Sequence, residues 1–456
     1  MTESVGRLAH DARRVLRQGP TAIRQRQRAR LAEIVAFARA RSPYFRDLYR
    51  ALPEEVADPA LLPVTDKKTL MARFDEWVTD RNVTLEKAQA FVADPALVGE
   101  RFQGRYLVAT TSGTSGLRGI FLQDERSVAV GNSVGRRARA GLGAGDVLRL
   151  LRGVGRTAIV SAPGGHFATV ASAARFRRDH PRLGWMLREF SIHQPLADLA
   201  AELNRYNPSS LTGFSGMLGL LAGEQEAGRL RIHPGMVIAG GEALTADNRA
   251  RIARAFHAQV RSAYAATECG FLAYGCAHNW LHVNSDWAVL EPVDAGYRPV
   301  PPGQPSHTVL LTNLANQVQP ILRYDLGDNV LLRPDPCPCG SPLPAVQVQG
   351  RAAEMLVFPS RGEHVGISPM LFGTLLDRLP GIEQFQLVQT ASTTLRVRLK
   401  LAYGADPERV WQTVRDEIGR LLTEHKAGHI TLERAEEPPE QSPGGKFRRV
   451  VPLQRP

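Results

Sequence analysis

Cysteine is scarce in this chain, with four residues in 456. So few sulfurs exclude a disulfide framework as the source of stability and point to metal binding or free thiols. Lysine is rarer than the overall charge suggests. Only Lys67, Lys68, Lys87, Lys400, Lys426 and Lys446 occur, and arginine supplies the rest of the 57 basic residues. No apolar run approaches the ~20 residues that span a bilayer, so no membrane partner is expected. The start of the chain shows no secretory h-region, and a cytoplasmic location is expected. Internal repeats and low-complexity tracts are absent, and so is any G-x-x-x-x-G-K-[ST] phosphate loop.

A chain of 456 residues exceeds what one hydrophobic core usually organises, so more than one domain is expected. Its 43 % apolar and 22 % charged residues are those of a globular protein. The net charge of +12 and the pI near 9.9 fit nucleic acid, a membrane surface or an anionic small molecule. They equally fit arginine scattered over a surface. The arginines form no single dense run and no groove-reading module accompanies them. A nucleic-acid partner is therefore not expected, whereas a nucleotide substrate is compatible.

Residues 1–60 read as helical, with Leu31, Ile34, Val35 and Ala38 at helical spacing before a turn at Ser42-Pro43. Asp66 is a plausible N-cap for the helix that follows Leu62-Pro63-Val64. From about 100 to 300 the pattern is α/β. The short apolar runs Tyr106–Val108, Ala158–Val160 and Met236–Ile238 each lead into small residues. Strands are expected at Thr308–Leu311, Ile321–Tyr324, Val330–Leu332 and Val346–Val348, with a break at Gly350-Arg351. The remainder reads as a small α+β unit. It comprises a hairpin of Phe385–Val388 with Leu395–Leu401, a helix stripe of Val410, Val414, Ile418 and Leu421, a strand at Ile430–Leu432, and a loop at Pro438–Gly445.

One loop carries chemistry. Thr111-Ser112-Gly113-Thr114-Ser115-Gly116 follows a strand, and backbone amides in such a turn can converge into an anion nest. Hydroxyls add donors without bulk, and glycine permits φ > 0. On composition alone a flexible Ser/Gly loop reads the same way.

The loop resembles the signature of the adenylate-forming superfamily of acyl-CoA ligases, acyl-adenylating domains and luciferases. Within that superfamily the chain looks most like the phenylacetate–CoA ligase family. Six further segments occur in the family's order: Ser42–Arg46 with Leu62-Pro63 and Lys67-Lys68; Gly240-Gly241-Glu242; Tyr264–Glu268; Arg323–Asp328; Gly350-Arg351; and Pro443-Gly444-Gly445-Lys446. The resemblance implies an N-terminal ATP- and acyl-binding domain of stacked sheets and helices over 1–349. A small mobile α+β domain over 350–456 would carry the catalytic lysine. There are departures. Arg118 and Gly119 stand where Pro-Lys commonly follows the loop, and arginine does not copy a lysine's point charge. Ala265 replaces a glycine, and Ala353-Glu354 stands for an acidic pair.

The same resemblance implies roles. Lys446 would stabilise charge on the α-phosphate, a role in which one preorganised donor is worth about 10²–10³ in rate. Glu268 would hold Mg²⁺ and Thr267 would donate to the α-phosphate. Asp328 would accept the ribose hydroxyls. Tyr264 would stack on adenine, beside a backbone approach at Gly241 and a polar edge at Glu242. Arg351 would contact ribose or phosphates, or form a hinge ion pair. His166, Phe167 and Phe214 lie where the family builds its acyl pocket, and equally read as packing or turn. An aryl or arylacetic acid would be the substrate. The acyl acceptor would be coenzyme A or, alternatively, a carrier-protein thiol, an amine or water. A non-catalytic nucleotide-binding relative is the reading from a different class.

Cys276, His278 and His282 form one cluster, and Cys337-Pro338-Cys339-Gly340 a second, knuckle-like one. Cys-x-Cys is tighter than the usual C-x₂₋₄-C. With the family's cysteine and histidine after the Thr-Glu motif, the expectation is a structural Cys₃His zinc at Cys276, His282, Cys337 and Cys339. Cys269 is expected in the pocket wall.

Overall fold

A computed structural model describes residues 5–453 other than 112–118, 140–141, 153–154, 162–164, 193, 243, 352–355, 361–362, 368, 377–378 and 442–446. The chain opens with helices Val5–Gln18, Pro20–Arg41 and Pro43–Leu48. Leu31, Ile34, Val35 and Ala38 are all buried on one side of the second helix. Ser42 turns the chain: its Oγ accepts from the Phe45 amide and donates to the Glu76 carbonyl, and Pro43 occupies the first helical turn. Asp66 caps Lys67–Ala72, accepting from the Thr69 amide at 2.9 Å. Among the described residues no helix is long and apolar enough to cross a membrane.

A nine-stranded sheet organises the site. Thr157–Ser161, Leu187–Ser191, Ser210–Phe214, Met236–Gly240 and Gln259–Ala266 form its parallel half. Helices Ala168–Asp179, Leu196–Tyr206, Ser215–Glu226 and Ala246–Phe256 alternate with these strands, as parallel pairing requires. The antiparallel half is Cys269–Gly275, Leu281–Val283, Ala345–Arg351 and Asp328–Leu332. Register aligns the carboxyl ends of the parallel strands. Phe214 pairs with Gly240, Gly240 with Ala263, and Val160 with Gly213. Loops leaving these strands therefore share one edge, where ligands bind in α/β sheets.

Two smaller antiparallel sheets, Arg101–Phe102/Tyr106–Thr110/Ile120–Gln123 and Ala288–Val293/Thr308–Asn313/Tyr324–Asp325, share a large core with the N-terminal helices. A second core fills the parallel half of the main sheet. A third, built only from residues 356–450, lies under the hairpin Ile382–Ala391/Thr394–Leu401 and the helix Pro407–Glu424.

Three expectations shift. The strand expected at Ile321–Tyr324 is only Tyr324–Asp325. Arg323 sits at φ 44°, and its guanidinium is drawn to the Ala60 and Leu62 carbonyls, which breaks the extended run. The helix stripe ends on Leu422 rather than Leu421, because each buried step is four residues. The strand expected at Ile430–Leu432 is Thr431–Arg434, parallel to Thr394–Val397; Ile430 closes a turn onto the Ala427 carbonyl.

A buried ion pair ties the first helix to this body. Arg137 grips Asp286 with two bonds, at 2.7 and 2.8 Å, and reaches Asn284 and the Ala12 carbonyl. Arg30 lies over the Trp287 ring, 3.4 Å from its centroid, and bonds the Asp286 carbonyl.

Candidate active site and metal cluster

The glycine- and hydroxyl-rich loop is closed at its base. The Thr111 amide donates to the Gly119 carbonyl at 3.0 Å, and the Gly119 amide donates to Thr111 Oγ1 at 2.8 Å. Ser112, Gly113, Thr114, Ser115, Gly116 and Arg118 lie outside the described residues. The Thr110 amide donates to the His166 carbonyl at 2.7 Å, and Thr110 bridges Phe167. These contacts bring the strand before the loop to the carboxyl edge of the main sheet. His166 itself is buried, with its ring on Phe91 and Nε2 3.3 Å from the Asp94 carbonyl.

The stem of Lys67 runs close to Gly119, the residue that follows this loop. A Cβ on Gly119 would lie 3.4 Å from Lys67 Cδ. The loop lacks its own lysine, and the structure brings the stem of one of the chain's few lysines close to Gly119 from the first turn of a distant helix.

Two carboxylates are held by tyrosines. Tyr264 Oη donates to Asp328 Oδ2 at 2.6 Å, and Tyr324 Oη donates to Glu268 Oε1 at 2.9 Å. Asn313 Nδ2 donates to the Glu268 carbonyl at 3.1 Å. Both carboxylates are buried, and Thr267 beside Glu268 is half-buried. Asp328 pairs in register with Arg351 on the adjacent strand, so the two occupy neighbouring backbone positions. Cys269 is fully enclosed in the large core, and burial pushes its thiol up to about 12.

Gly241 is required twice over. Its φ is +74°, and a Cβ there would lie 2.8 Å from Phe214 Cε1. Phe214 thereby packs on the glycine turn. The Glu242 side chain continues inward: Oε2 accepts from the Gly216 amide at 2.8 Å, and Oε1 accepts from the Phe447 amide at 3.2 Å.

Lys446 lies outside the described residues, but both ends of the segment around it are fixed. Gln441 bridges Phe447 in an antiparallel pair. The buried Gln386 amide clamps the stem, donating to the Glu440 and Arg448 carbonyls, each at 2.9 Å, and accepting from the Glu440 amide. Sequence reading gave no role to Gln386, to Tyr324 or to Lys67. Gln386 left no signal, whereas Tyr324 stands in the Arg323–Asp328 segment and Lys67 in the Lys67-Lys68 pair that carry the resemblance.

Away from this edge, Cys276, His282, Cys337 and Cys339 bring their ligand atoms within 4.8 Å of one another. Cys276 and Cys337 sulfurs are 3.7 Å apart, against about 3.8 Å for two thiolates on a tetrahedral zinc with ~2.3 Å bonds. Cys339 Sγ is 3.1 Å from His282 Nε2, while His282 Nδ1 meets the Leu343 carbonyl at 3.1 Å. That second contact fixes the ring with Nε2 toward the sulfurs. Burial alone would raise the Cys276 thiol; hydrogen bonds to His282 and to the Trp280 and His278 backbone bring it down to about 6. His278 is not among the converging donors.

No known family profile and no curated protein matches this chain. Solved structures do. A 2-hydroxyisobutyryl-CoA ligase in the postadenylation state, holding 2-HIB-AMP, superposes with a TM-score of 0.65 at 20 % identity, covering 95 % of this chain and 90 % of that one. The same ligase in an open conformation with 2-HIB-AMP and CoA gives 0.55 at 20 % identity over 96 % and 91 % of the two chains. In the thioesterification state, with 2-HIB-AMP and CoA, it gives 0.51 at 20 % identity over 95 % and 89 %. The chain has the fold of the adenylate-forming ligases.

Proposed function

We propose that this protein activates a carboxylic acid with ATP as its acyl-adenylate and passes the acyl group to the thiol of coenzyme A. The observation that carries the reading is a convergence at one sheet edge. The base of the hydroxyl-rich loop, the Asp328–Tyr264 pair, the Glu268–Tyr324 pair and the clamped tail stem after Lys446 belong to segments that the adenylate-forming resemblance assigns to ATP. The shared fold supports it.

In the first step a carboxylate oxygen bonds to the α-phosphorus and the bond to pyrophosphate breaks. In the second a thiol sulfur bonds to the acyl carbon and AMP leaves. Backbone amides and hydroxyls of Thr111–Gly116 hold the phosphates. Lys67 supplies the point charge that the loop lacks, helped by Arg118 or Arg351. Lys446 stabilises the charge developing on the α-phosphate and Thr267 donates there. Asp328, oriented by Tyr264, accepts the ribose hydroxyls; the adenine lies along Gly241 and the Tyr264 ring.

A buried carboxylate with one oxygen fixed by a phenol fits a magnesium ligand, because a carboxylate accepts at further lone pairs. Mg²⁺ at Glu268 would balance triphosphate charge. The four-donor cluster fits a closed structural zinc with no open coordination position. An aryl or arylacetic acid, met by Phe214, Phe167 and His166, is the proposed substrate class, as in a phenylacetate–CoA ligase-like enzyme of the cytoplasm. Residues 350–456 act as the mobile lid over 1–349.

A pyrophosphate-release screen across aryl, arylacetic and aliphatic acids, with and without coenzyme A, tests the reading. Release with at least one acid, and thioester only when coenzyme A is added, is the expected result. Release with no thioester would move the acceptor to a carrier protein, an amine or water.

A further inference from the structure

We infer that the Glu242 carboxylate is a latch: it holds the tail after Lys446 in the position used for adenylation and lets go before thiol transfer. The inference rests on the adenylation reading for its kinetic consequence, but not for the contact itself.

The physical case begins with where the two amides come from. Gly216 is the second residue of the helix that follows strand Ser210–Phe214, and Phe447 belongs to the C-terminal tail. A single carboxylate accepts from both, one on each oxygen, at 2.8 and 3.2 Å. The Gly216 bond lies within the N-terminal body and aims the side chain. The Phe447 bond crosses between the cores. Its donor is the N–H of the peptide unit that joins residue 446 to residue 447, so the bond grips one end of the lysine segment directly. A bond from an amide to a carboxylate is charge-assisted, stronger than an amide–carbonyl bond and directional.

The packing agrees. Phe447 packs beside Gly216: a Cβ on that glycine would stand 3.6 Å from Phe447 Cδ1 and 3.3 Å from Glu242 Oε2. Phe447 is buried although it sits in a tail. The far end of the same loop is touched as well, since a Cβ on Gly373 would lie 3.4 Å from Thr245 Cγ2 and 3.7 Å from Arg449 Nη1. The loop 240–245 thus meets the C-terminal unit at Glu242 and at Thr245. The tail stem is rigid within its own unit through Gln386. Releasing the Phe447 amide therefore frees the stem as a body rather than fraying it.

Glu242→Gln separates the possibilities. The amide keeps one oxygen for Gly216 and turns an NH₂ toward the Phe447 N–H, replacing attraction by donor–donor repulsion. The variant should keep its melting temperature within about 2 °C, since the exposed part of such a change is small. Hydrogen exchange of the 440–450 peptide should speed up roughly tenfold or more relative to wild type. In single turnover, adenylate formation should slow roughly ten- to a hundredfold, the loss of one charged hydrogen bond. Thioester formation from supplied acyl-adenylate should change less than about twofold. Should E242Q melt early, Glu242→Asp keeps the charge but withdraws it by one methylene, and the same kinetic split is expected.

Unchanged exchange in both variants overturns the latch. So does equal loss of both half-reactions, or a loss confined to ATP affinity, which would make Glu242 a nucleotide reader. If wild type adenylates no acid, the adenylation reading fails, while the exchange measurement still decides the latch.

Discussion

At the scale of single residues, the site divides into groups that sequence reading could name and groups that it could not. Glu268, Asp328 and Tyr264 stand in short segments whose chemistry is local, and the structure pairs Asp328 with Tyr264 and Glu268 with Tyr324. A buried aspartate bonded to a phenol at 2.6 Å is held in one orientation, which suits the ribose-binding role proposed for it. The pair Lys67-Lys68 was visible in sequence, but the approach of Lys67 to Gly119 is created by the fold. Lys67 and Lys446 should separate in kinetics. Lys67→Ala is expected to raise the KM for ATP roughly tenfold or more with a smaller change in kcat, a ground-state charge being lost. Lys446→Ala is expected to lower adenylation by about 10²–10³ while sparing thioester formation from supplied adenylate. Steady-state kinetics on the half-reactions check both, and equal loss in both half-reactions for Lys446→Ala would count against its role. Tyr324→Phe should weaken Mg²⁺ dependence severalfold with no change in fold, read from a magnesium titration of pyrophosphate release.

At the scale of elements, strands and caps followed from local rules. The Asp66 cap, the Ser42 turn and the hairpin under the tail lie where patterning puts them. Patterning failed where a side chain overrides it. Arg323, pulled to two carbonyls, ends a strand that its neighbours' hydrophobicity would have continued. Arg137 was likewise invisible in sequence as a structural residue. Arg137→Met removes both hydrogen bonds to the buried Asp286 carboxylate, with Arg30 still 3.9 Å away, and should destabilise by about 3–5 kcal/mol, measured by urea unfolding. The N-terminal helix Val5–Gln18 should then become the first segment to exchange hydrogen.

The cysteine cluster is the other element-scale test. Sequence spacing brought the four residues under suspicion, but a hydrogen-bonded histidine turned toward the sulfurs is a fact of the fold. Chelator-washed protein is expected to retain about one zinc per chain, with a lowered melting temperature once the metal is stripped. Less than half an equivalent by metal analysis would remove zinc from the account. Cys337→Ser should release the metal without altering the pyrophosphate yield per folded molecule.

At the scale of the whole molecule, three buried clusters and the aligned strand ends explain why the chemistry sits where it does. The loop of Thr111–Gly116 is attached to the large body, the lysine segment to the small one, and Glu242 touches both. The fold class was legible because apolar periodicity reports layers. The acyl pocket was not, because Phe214, Phe167 and His166, proposed to line it, are residues that packing alone explains as well. The most direct measurement is acid-dependent exchange of labelled pyrophosphate into ATP in the absence of any thiol. At least one aryl, arylacetic or aliphatic acid is expected to drive exchange, and Lys446→Ala to abolish it. Tight ATP binding with no exchange from any acid in the panel would contradict adenylation.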